Sequence, residues 1–312
     1  MAKILITGGT GFAASHLVEA LLERGETDLH ITAFRDAGAF VRALLPAAHI
    51  HQLDLTDHEA TAALIQQLKP EQIYHLASLA SVGDSFDKGQ FILDMHTHLQ
   101  LNLLEAIAQH APQARLLHVS TALVYQASDR PLHEQSALGP DNPYALSKLV
   151  QDMMCHSFVR SRQLDIVRVR PFNHIGERQA PGFAVADLAK NIVAIERGEL
   201  SELKVGNLDA VRDFSDVKDT VQGYILLMKQ AASGSIYNLG SGTGHSIQQI
   251  LQRLRALAKV EVPISIDPSK LRPVDLPQLI CDNEKIVELG YQVTHEIDET
   301  LARILDYWRA QD

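Results

Sequence analysis

Tyr144 and Lys148, in Pro143-Tyr144-Ala145-Leu146-Ser147-Lys148, are the pair in this sequence best suited to proton chemistry. On a helix, a spacing of four puts both side chains on one face. A cation beside a phenol favours the phenolate and draws its pKa down from about 10. Such a tyrosine gives or takes a proton at a carbonyl or alcohol oxygen. The bare pair is a weak signal, and its value comes from position. It follows a strand-like run that ends His118-Val119-Ser120-Thr121. A parallel sheet presents ligand-binding groups at that carboxyl edge. Thr121 is placed to hydrogen-bond the same oxygen as Tyr144. Taken alone, a strand-end hydroxyl of this kind more often caps backbone.

A second constellation opens the chain. Thr7-Gly8-Gly9-Thr10-Gly11-Phe12-Ala13-Ala14 follows a short apolar run and begins a helical one. Glycine serves where φ is positive and where backbone must approach a phosphate, and the helix N-terminus then faces the anion. With strand, turn and helix in that order, Gly8, Gly11 and Phe12 read as a dinucleotide cradle. Ala14 replaces the third glycine as its smallest substitute. The second strand ends Thr32-Ala33-Phe34-Arg35-Asp36, with no acid at its tip to bind both ribose hydroxyls. Arg35 suits a 2′-phosphate, so NADP(H) is favoured and NAD(H), through Asp36, is the alternative. Asp54 and Leu55, after the third strand, are candidates for the adenine. A turn or N-cap aspartate is an equal alternative for Asp54.

These side chains need a scaffold, and the rest of the sequence supplies one. Strand-like runs at Ile4–Thr7, Leu29–Phe34, His49–Leu53, Gln72–Leu76, Arg115–Ser120 and Asp165–Val169 alternate with helical segments, the longest being Phe91–Gln109 and Tyr144–Arg160. That alternation predicts right-handed βαβ crossovers and a doubly wound α/β parallel sheet of Rossmann type. After Pro171 the regularity weakens. Helices are expected near Ala184–Arg197, Val217–Gln230, Ile247–Leu257 and Ile297–Trp308, with short strands between them. The expected division is a dinucleotide-binding domain of residues 1–170 plus about 211–244. A smaller mixed α/β substrate lobe takes about 171–210 plus 245–312. The Ile236–Leu239 run is expected to rejoin the main sheet.

The chain has 312 residues, 46% of them hydrophobic, and a net charge of −10. That charge disfavours an electrostatic grip on nucleic acid or anionic lipid. No apolar run reaches the roughly 20 residues of a membrane span, and no signal peptide is evident. Two cysteines without metal spacing fit a reducing cytoplasm. His96 and His98, at i and i+2 of a helix, point apart and are not read as a metal pair.

Several of these segments carry a family resemblance. Thr7-Gly8-x-x-Gly11-Phe12, Asp54-Leu55, His75-Leu76-Ala77, Ser120-Thr121-x-x-Val124-Tyr125, Tyr144-x-x-x-Lys148 and Arg170-Pro171-Phe172-Asn173 resemble the extended short-chain dehydrogenases/reductases that act on nucleotide-sugars, in order and spacing. The C-terminal segments Val205–Phe214 and Leu271-Arg272-Pro273 are similar to those of the GDP-6-deoxy-D-mannose reductases. The resemblance implies NAD(P)H-dependent reduction of the C4 ketone of GDP-4-dehydro-6-deoxy-D-mannose to GDP-D-rhamnose. It implies Thr121, Tyr144 and Lys148 as catalytic residues. Gly8, Gly11, Phe12, Arg35, Asp54, Leu55, Leu76 and Ala77 would hold the cofactor. Asn173, Lys190, Arg212 and Arg272 would contact the GDP-sugar, with the two arginines suited to a diphosphate. An ion pair with Asp213 or Asp216 is the competing role for Arg212. The two long helices resemble those through which such enzymes form homodimers as a four-helix bundle.

Three departures from the family pattern fall near the site. Gln126 follows Tyr125 where glycine is usual. His96 takes the place of an asparagine, and Glu177-Arg178-Gln179 follows Gly176 in place of proline and glycine. A nucleotide-sugar 4-epimerase on the same scaffold is an alternative, as is a 4,6-dehydratase. Dehydration needs an additional acid and base, which the family's dehydratases carry just after the threonine. Here those positions are Ala122 and Leu123. A dinucleotide-binding sensor without catalysis would have no need of the intact Thr-Tyr-Lys set.

Overall fold

A computed structural model describes residues 2–79, 88–270 and 276–311. The chain runs β1 (Ile4–Thr7), α1 (Phe12–Glu23), β2 (Leu29–Ala33), α2 (Gly38–Leu44), β3 (Ile50–Gln52), α3 (His58–Leu68), β4 (Gln72–His75), α4 (Gly89–His110), β5 (Arg115–Val119), α5 (Pro143–Arg162) and β6 (Asp165–Pro171). It continues through β7 (Asn173–Ile175), α6 (Ala184–Glu196), β8 (Leu203–Val205), β9 (Val211–Asp216), α7 (Val217–Gln230), β10 (Ile236–Leu239), β11 (Gly244–Ser246) and α8 (Ile247–Ala256). The last elements are β12 (Ile264–Ile266), β13 (Gln278–Leu279), α9 (Glu284–Val287) and α10 (Ile297–Arg309).

Seven strands form one parallel sheet in the order β10-β6-β5-β4-β1-β2-β3. This is the Rossmann order with β10 added beyond β6, so the Ile236–Leu239 run does return to the main sheet. The order of strands turns back between β1 and β4, and the crevice at that switch point is where such sheets take their ligands. β1 and β2 are buried along their whole length, as strands covered on both faces must be.

Those two faces differ in chemistry. Ile4, Ile6, Tyr74, Leu117, Val167 and Val169 point toward α1 and α7 and form one apolar core with Leu17, Val18, Val221 and Tyr224. The opposite face begins apolar, with Leu5, Ile73, Leu116 and Ile166 packed under α3, α4 and α5. One pleat further toward the carboxyl ends it turns polar. Thr7, His75, His118 and Arg168 occupy successive strands in register, all buried.

α5 is defined by its ends. Asn142 caps it by accepting the Ala145 N–H (2.9 Å), Pro143 sits in the first turn, and Gln163 closes it in the left-handed region; these are favoured N- and C-terminal signals. The smaller lobe is built on β9, which pairs with β7, β11 and β13, and on the separate pair β8–β12. Its core joins Val185, Ile192, Phe214, Ile250, Leu254, Leu301 and Ile304 from α6, β9, α8 and α10. β9 thus lies in the smaller sheet, and the following helix α7 packs against α1 of the main body.

Candidate active site

The glycine turn owes its shape to close packing. Gly8 has φ +67°, and a Cβ there would stand 2.8 Å from the Ala77 Cα. Its N–H donates to Thr32 Oγ1 (3.1 Å). Gly11 begins α1 with no side-chain cap, and the first turn carries no acid. The α1 amide donors and dipole therefore face the crevice uncompensated, as an anion site requires. Phe12 stacks on His174 with ring centroids 5.8 Å apart. At the strand tips, Thr7 Oγ1 bonds His75 Nδ1 (2.6 Å) and accepts the Ala77 N–H (3.3 Å), which fixes Leu76 and Ala77 beside the turn.

Arg35 is exposed beyond β2, its guanidinium 6.0 Å from the Phe34 ring centroid. Asp36 accepts the Gly38 N–H (3.1 Å) and pairs with Arg42, so its carboxylate is committed to its own loop. Asp54 accepts from the Thr56 N–H (2.9 Å) and hydroxyl (2.7 Å), the turn role that stood as the alternative to an adenine contact. Leu55 is buried, and its carbonyl accepts from Asn102 (3.0 Å).

Thr121 lies two residues past the end of β5, and its hydroxyl accepts the Leu123 N–H (3.3 Å). The turn Ala122–Val124 packs against α5, bringing Thr121 to the side of the helix that carries the pair. Tyr144 and Lys148 are both buried there. Here the structure corrects an expectation. Burial pushes the Tyr144 phenol up to about 12, opposed by a hydrogen bond from Ser78. Burial also lowers Lys148, to about 8, against the attraction of Asp152. Desolvation outweighs the cation, so the resting phenol keeps its proton.

The excursion between Thr121 and Tyr144 is tied down by distant segments. Leu132 N–H donates to the Ile280 carbonyl (2.9 Å), and its own carbonyl accepts from Asp282 N–H (2.9 Å) and Asn238 Nδ2 (2.8 Å). The Tyr125 hydroxyl donates to Asn238 Oδ1 (2.7 Å) and accepts from Arg170 Nη1 (3.0 Å). Arg170 in turn donates to Asp152 from Nε (2.9 Å) and Nη2 (2.6 Å). Tyr125, Asn238, Arg170 and Asp152 thus form a buried, charge-assisted framework beside Lys148.

The lobe side is more open. Asn173 is exposed, and Lys190 holds its ammonium 5.5 Å from the Trp308 ring centroid. Arg212 Nη1 donates to the Val211 and Leu276 carbonyls, both at 2.8 Å. Asp213 uses its two oxygens on Ser241, Gly242 and Cys281, and Asp216 is engaged by Lys218 N–H, Thr300 and Arg303. Arg272 lies outside the described residues. The unusual stretch after Gly176 bridges the two halves. Glu177 pairs with Lys218 (3.2 Å) and Arg303 (3.3 Å), while Arg178 pairs with Glu19 and lies over Phe40.

His96 and His98 point apart as their spacing requires. His96 is fully buried; His98 is exposed, with Nδ1 on the Asp94 carbonyl (2.7 Å). Among the described residues no cluster of histidine, cysteine and carboxylate groups is arranged to hold a metal.

A Rossmann sheet with a glycine turn at its switch point, and a tyrosine–lysine pair at the same edge, defines an NAD(P)-dependent enzyme of the extended short-chain dehydrogenase/reductase type. Residues 5–304 match the family described as GDP-mannose 4,6 dehydratase, and the chain belongs to that family. GDP-6-deoxy-D-mannose reductase of Pseudomonas aeruginosa is 29% identical over 99% of this chain and 98% of its own. The structure of RMD from the same organism complexed with NADPH superposes with a TM-score of 0.86 at 28% identity, covering 99% of both chains. UDP-glucose 4-epimerase of Thermus thermophilus, complexed with NAD, gives 0.88 at 26% identity over 98% of this chain and 99% of its own. The chain is thus an NAD(P)-dependent nucleotide-sugar enzyme, in a group that holds reductases, epimerases and dehydratases. The uncapped α1 terminus fits a dinucleotide pyrophosphate, with Gly8 holding the turn tight against Ala77 beside it.

Proposed function

We propose that the chain reduces the C4 ketone of GDP-4-dehydro-6-deoxy-D-mannose, giving GDP-D-rhamnose, with NADPH as the preferred reductant. One arrangement carries this reading: Tyr144 and Lys148 lie buried on one face of α5 beside the turn that follows Thr121, where burial raises the phenol and so favours the protonated state that a ketone reduction consumes. The nearly end-to-end similarity to the Pseudomonas reductase supports the substrate. Ala122 and Leu123, next to Thr121, offer no acid or base for losing water, which argues against the dehydration in the family's name.

In this mechanism Tyr144 donates its proton to the sugar O4, with Thr121 orienting the carbonyl. Lys148 binds the nicotinamide ribose and lends positive potential to the oxygen left negative. The bound dinucleotide supplies hydride to C4. Gly8, Gly11 and Phe12 hold its pyrophosphate, Arg35 its 2′-phosphate, and Asp54, Leu55, Leu76 and Ala77 its adenosine side and the crevice wall. Asn173, Lys190 and Arg212 contact the GDP-sugar, and the family resemblance assigns Arg272 to it as well. The smaller lobe serves as the substrate domain.

A 4-epimerase is the second reading, favoured by the 0.88 superposition on the Thermus enzyme. Loss of absorbance at 340 nm separates the two readings. The reductase consumes NADPH in equal amount with the 4-keto sugar, whereas an epimerase shows no net change. Tight binding of the GDP-sugar without turnover would refute both.

We further propose a cytoplasmic homodimer. No described helix is long and apolar enough to cross a membrane. Both cysteines are free and buried, which suits a reducing compartment. The outer faces of α4 and α5 expose Leu101, Leu146 and Met153, apolar surface that a helix-to-helix contact between two copies would cover.

A further inference from the structure

Tyr144 stands in the first turn of α5, directly after Pro143. The opening turn of a helix lacks intrahelical partners for its N–H groups and frays most readily. A proton donor placed there needs support from outside the helix. His96, fully buried within α4, gives it through both ring nitrogens. The Leu79 N–H donates to Nε2 (3.0 Å), and Ser78 Oγ lies 3.1 Å from the same nitrogen. Nε2 is therefore an acceptor, and in the neutral ring Nδ1 carries the hydrogen. Nδ1 stands 2.7 Å from Ser147 Oγ, which in turn donates to the Tyr144 carbonyl (2.7 Å). The imidazole also meets the Tyr144 ring directly, with centroids 6.1 Å apart and planes at 71°, the edge-to-face arrangement that aromatic pairs favour. Further bonds join α4 to α5. Gln151 Nε2 donates to the His96 carbonyl (2.9 Å), and Gln100 Nε2 to Cys155 Sγ (3.5 Å). Burial, aided by the Lys148 cation, lowers His96 to about 3, in keeping with an unprotonated Nε2.

We propose that His96 is a positioning residue for Tyr144: one neutral imidazole fastens the segment leaving β4, at Ser78-Leu79, to the first turn of α5 and packs against the phenol ring. The two nitrogens cannot exchange tasks. A backbone N–H only donates, so Nε2 keeps its lone pair for Leu79. Ser147 spends its own hydrogen on the Tyr144 carbonyl, so it takes one from Nδ1. Every bond direction from Leu79 through His96 and Ser147 to Tyr144 is thereby fixed. The asparagine usual at this position has a shorter reach. Its amide ends near the place of Nδ1 and can meet Ser147, but it falls short of the Leu79 N–H. Histidine thus adds a tie from α5 to the crevice wall that asparagine cannot make. Displacing a reacting group by about 1 Å can cost about 100-fold in rate, so a tie of this kind acts on kcat without touching substrate. The inference rests on the reading of Tyr144 as proton donor.

The test is a double-mutant cycle on reduction of GDP-4-dehydro-6-deoxy-D-mannose, with NADPH affinity followed by fluorescence. His96→Ala is expected to lower kcat about 10- to 100-fold, with NADPH affinity within about twofold of the wild type. His96→Asn, which keeps the Ser147 link alone, should fall between the two. In a Tyr144→Phe background His96→Ala should have little further effect, because it acts through the phenol. Wild-type kcat in His96→Ala, or an equal loss in the Tyr144→Phe background, overturns the proposal. A Tyr144→Phe enzyme that keeps its turnover removes the reading beneath it instead. Should His96→Ala fail to fold, Ser147→Ala cuts the same tie at its α5 end. It should lower kcat about 3- to 10-fold, the worth of a neutral hydrogen bond, and an unchanged kcat there is equally fatal. A second readout needs no turnover. Nitrogen NMR of histidine-labelled protein, with His96 assigned by His96→Asn, should show a neutral ring protonated at Nδ1, whose Nδ1 resonance moves in Ser147→Ala. A ring protonated at Nε2, or an unmoved resonance, refutes the tie.

Discussion

The two faces of the main sheet come from the same strands and do opposite work. Toward α1 and α7 the strands present Ile4, Ile6, Tyr74, Leu117, Val167 and Val169, a dry core. Toward α4 and α5 their carboxyl ends present Thr7, His75, His118 and Arg168, also buried. Both ring nitrogens of His118 lack a hydrogen-bond partner among the described residues. Buried polar groups cost stability unless bonded. The α4/α5 face carries that cost beneath Tyr144 and Lys148, where pKa values must be set. Adhesion and chemistry are thus divided between alternate residues of single strands.

Tyr144→Phe should break the polar face at its functional end. Turnover of the 4-keto sugar should fall about 10²- to 10⁴-fold, the usual worth of a positioned proton donor. NADPH affinity and melting temperature should hold; a near-native rate would separate the polar face from catalysis.

Acid should find the same face. On this face His75 and His96 are lowered to about 3 and His118 well below its ordinary value, and on α1 His16 is lowered to about 4, in each case chiefly by burial. The unfolded chain therefore binds more protons below the ordinary histidine value of 6.5, and stability present above that pH is lost as it falls. Between pH 6.5 and 5.5, four such groups lose on the order of 4 kcal/mol. Urea titration at the two pH values measures it; a flat response would mean that these histidines are charged in the folded protein.

Leu117→Ala probes the other face. It should cost about 3 kcal/mol of stability through the cavity it leaves, while kcat per folded molecule stays unchanged. A kcat that falls with stability would show that the faces are not independent.

The smallest effect is expected at the rim. Arg35→Asp replaces a phosphate partner with a repelling charge and should raise the KM for NADPH about 10-fold, a change of about 1.4 kcal/mol. The KM for NADH should change little. An unchanged ratio of the two would detach Arg35 from the 2′-phosphate.

Much of this was legible in the sequence where local pattern carries it. Continuous apolar runs marked β1, β2 and β4 to within a residue or so, and the helical run expected from Tyr144 begins within a residue of α5. The glycine turn and the Tyr144–Lys148 spacing showed themselves because each lies within one segment. The short strands β7, β11 and β13 escaped, since two or three residues carry no period. The direction of the Tyr144 shift escaped because it depends on how deeply the fold buries the phenol. Ser78 and His96 come together only when β4, α4 and α5 pack. From sequence, His96 stood out just as a departure from a family pattern.

The tether at Leu132 bears on how the protein is made. The arm joining Thr121 to Tyr144 is held by backbone partners at Ile280 and Asp282 and by the Asn238 side chain. A ribosome emits those partners long after the residues they secure. The first strands and helices can associate while translation proceeds, yet the catalytic arm waits for the penultimate stretch of chain. A nascent or C-terminally shortened polypeptide would therefore acquire its nucleotide fold before it acquired a competent proton donor.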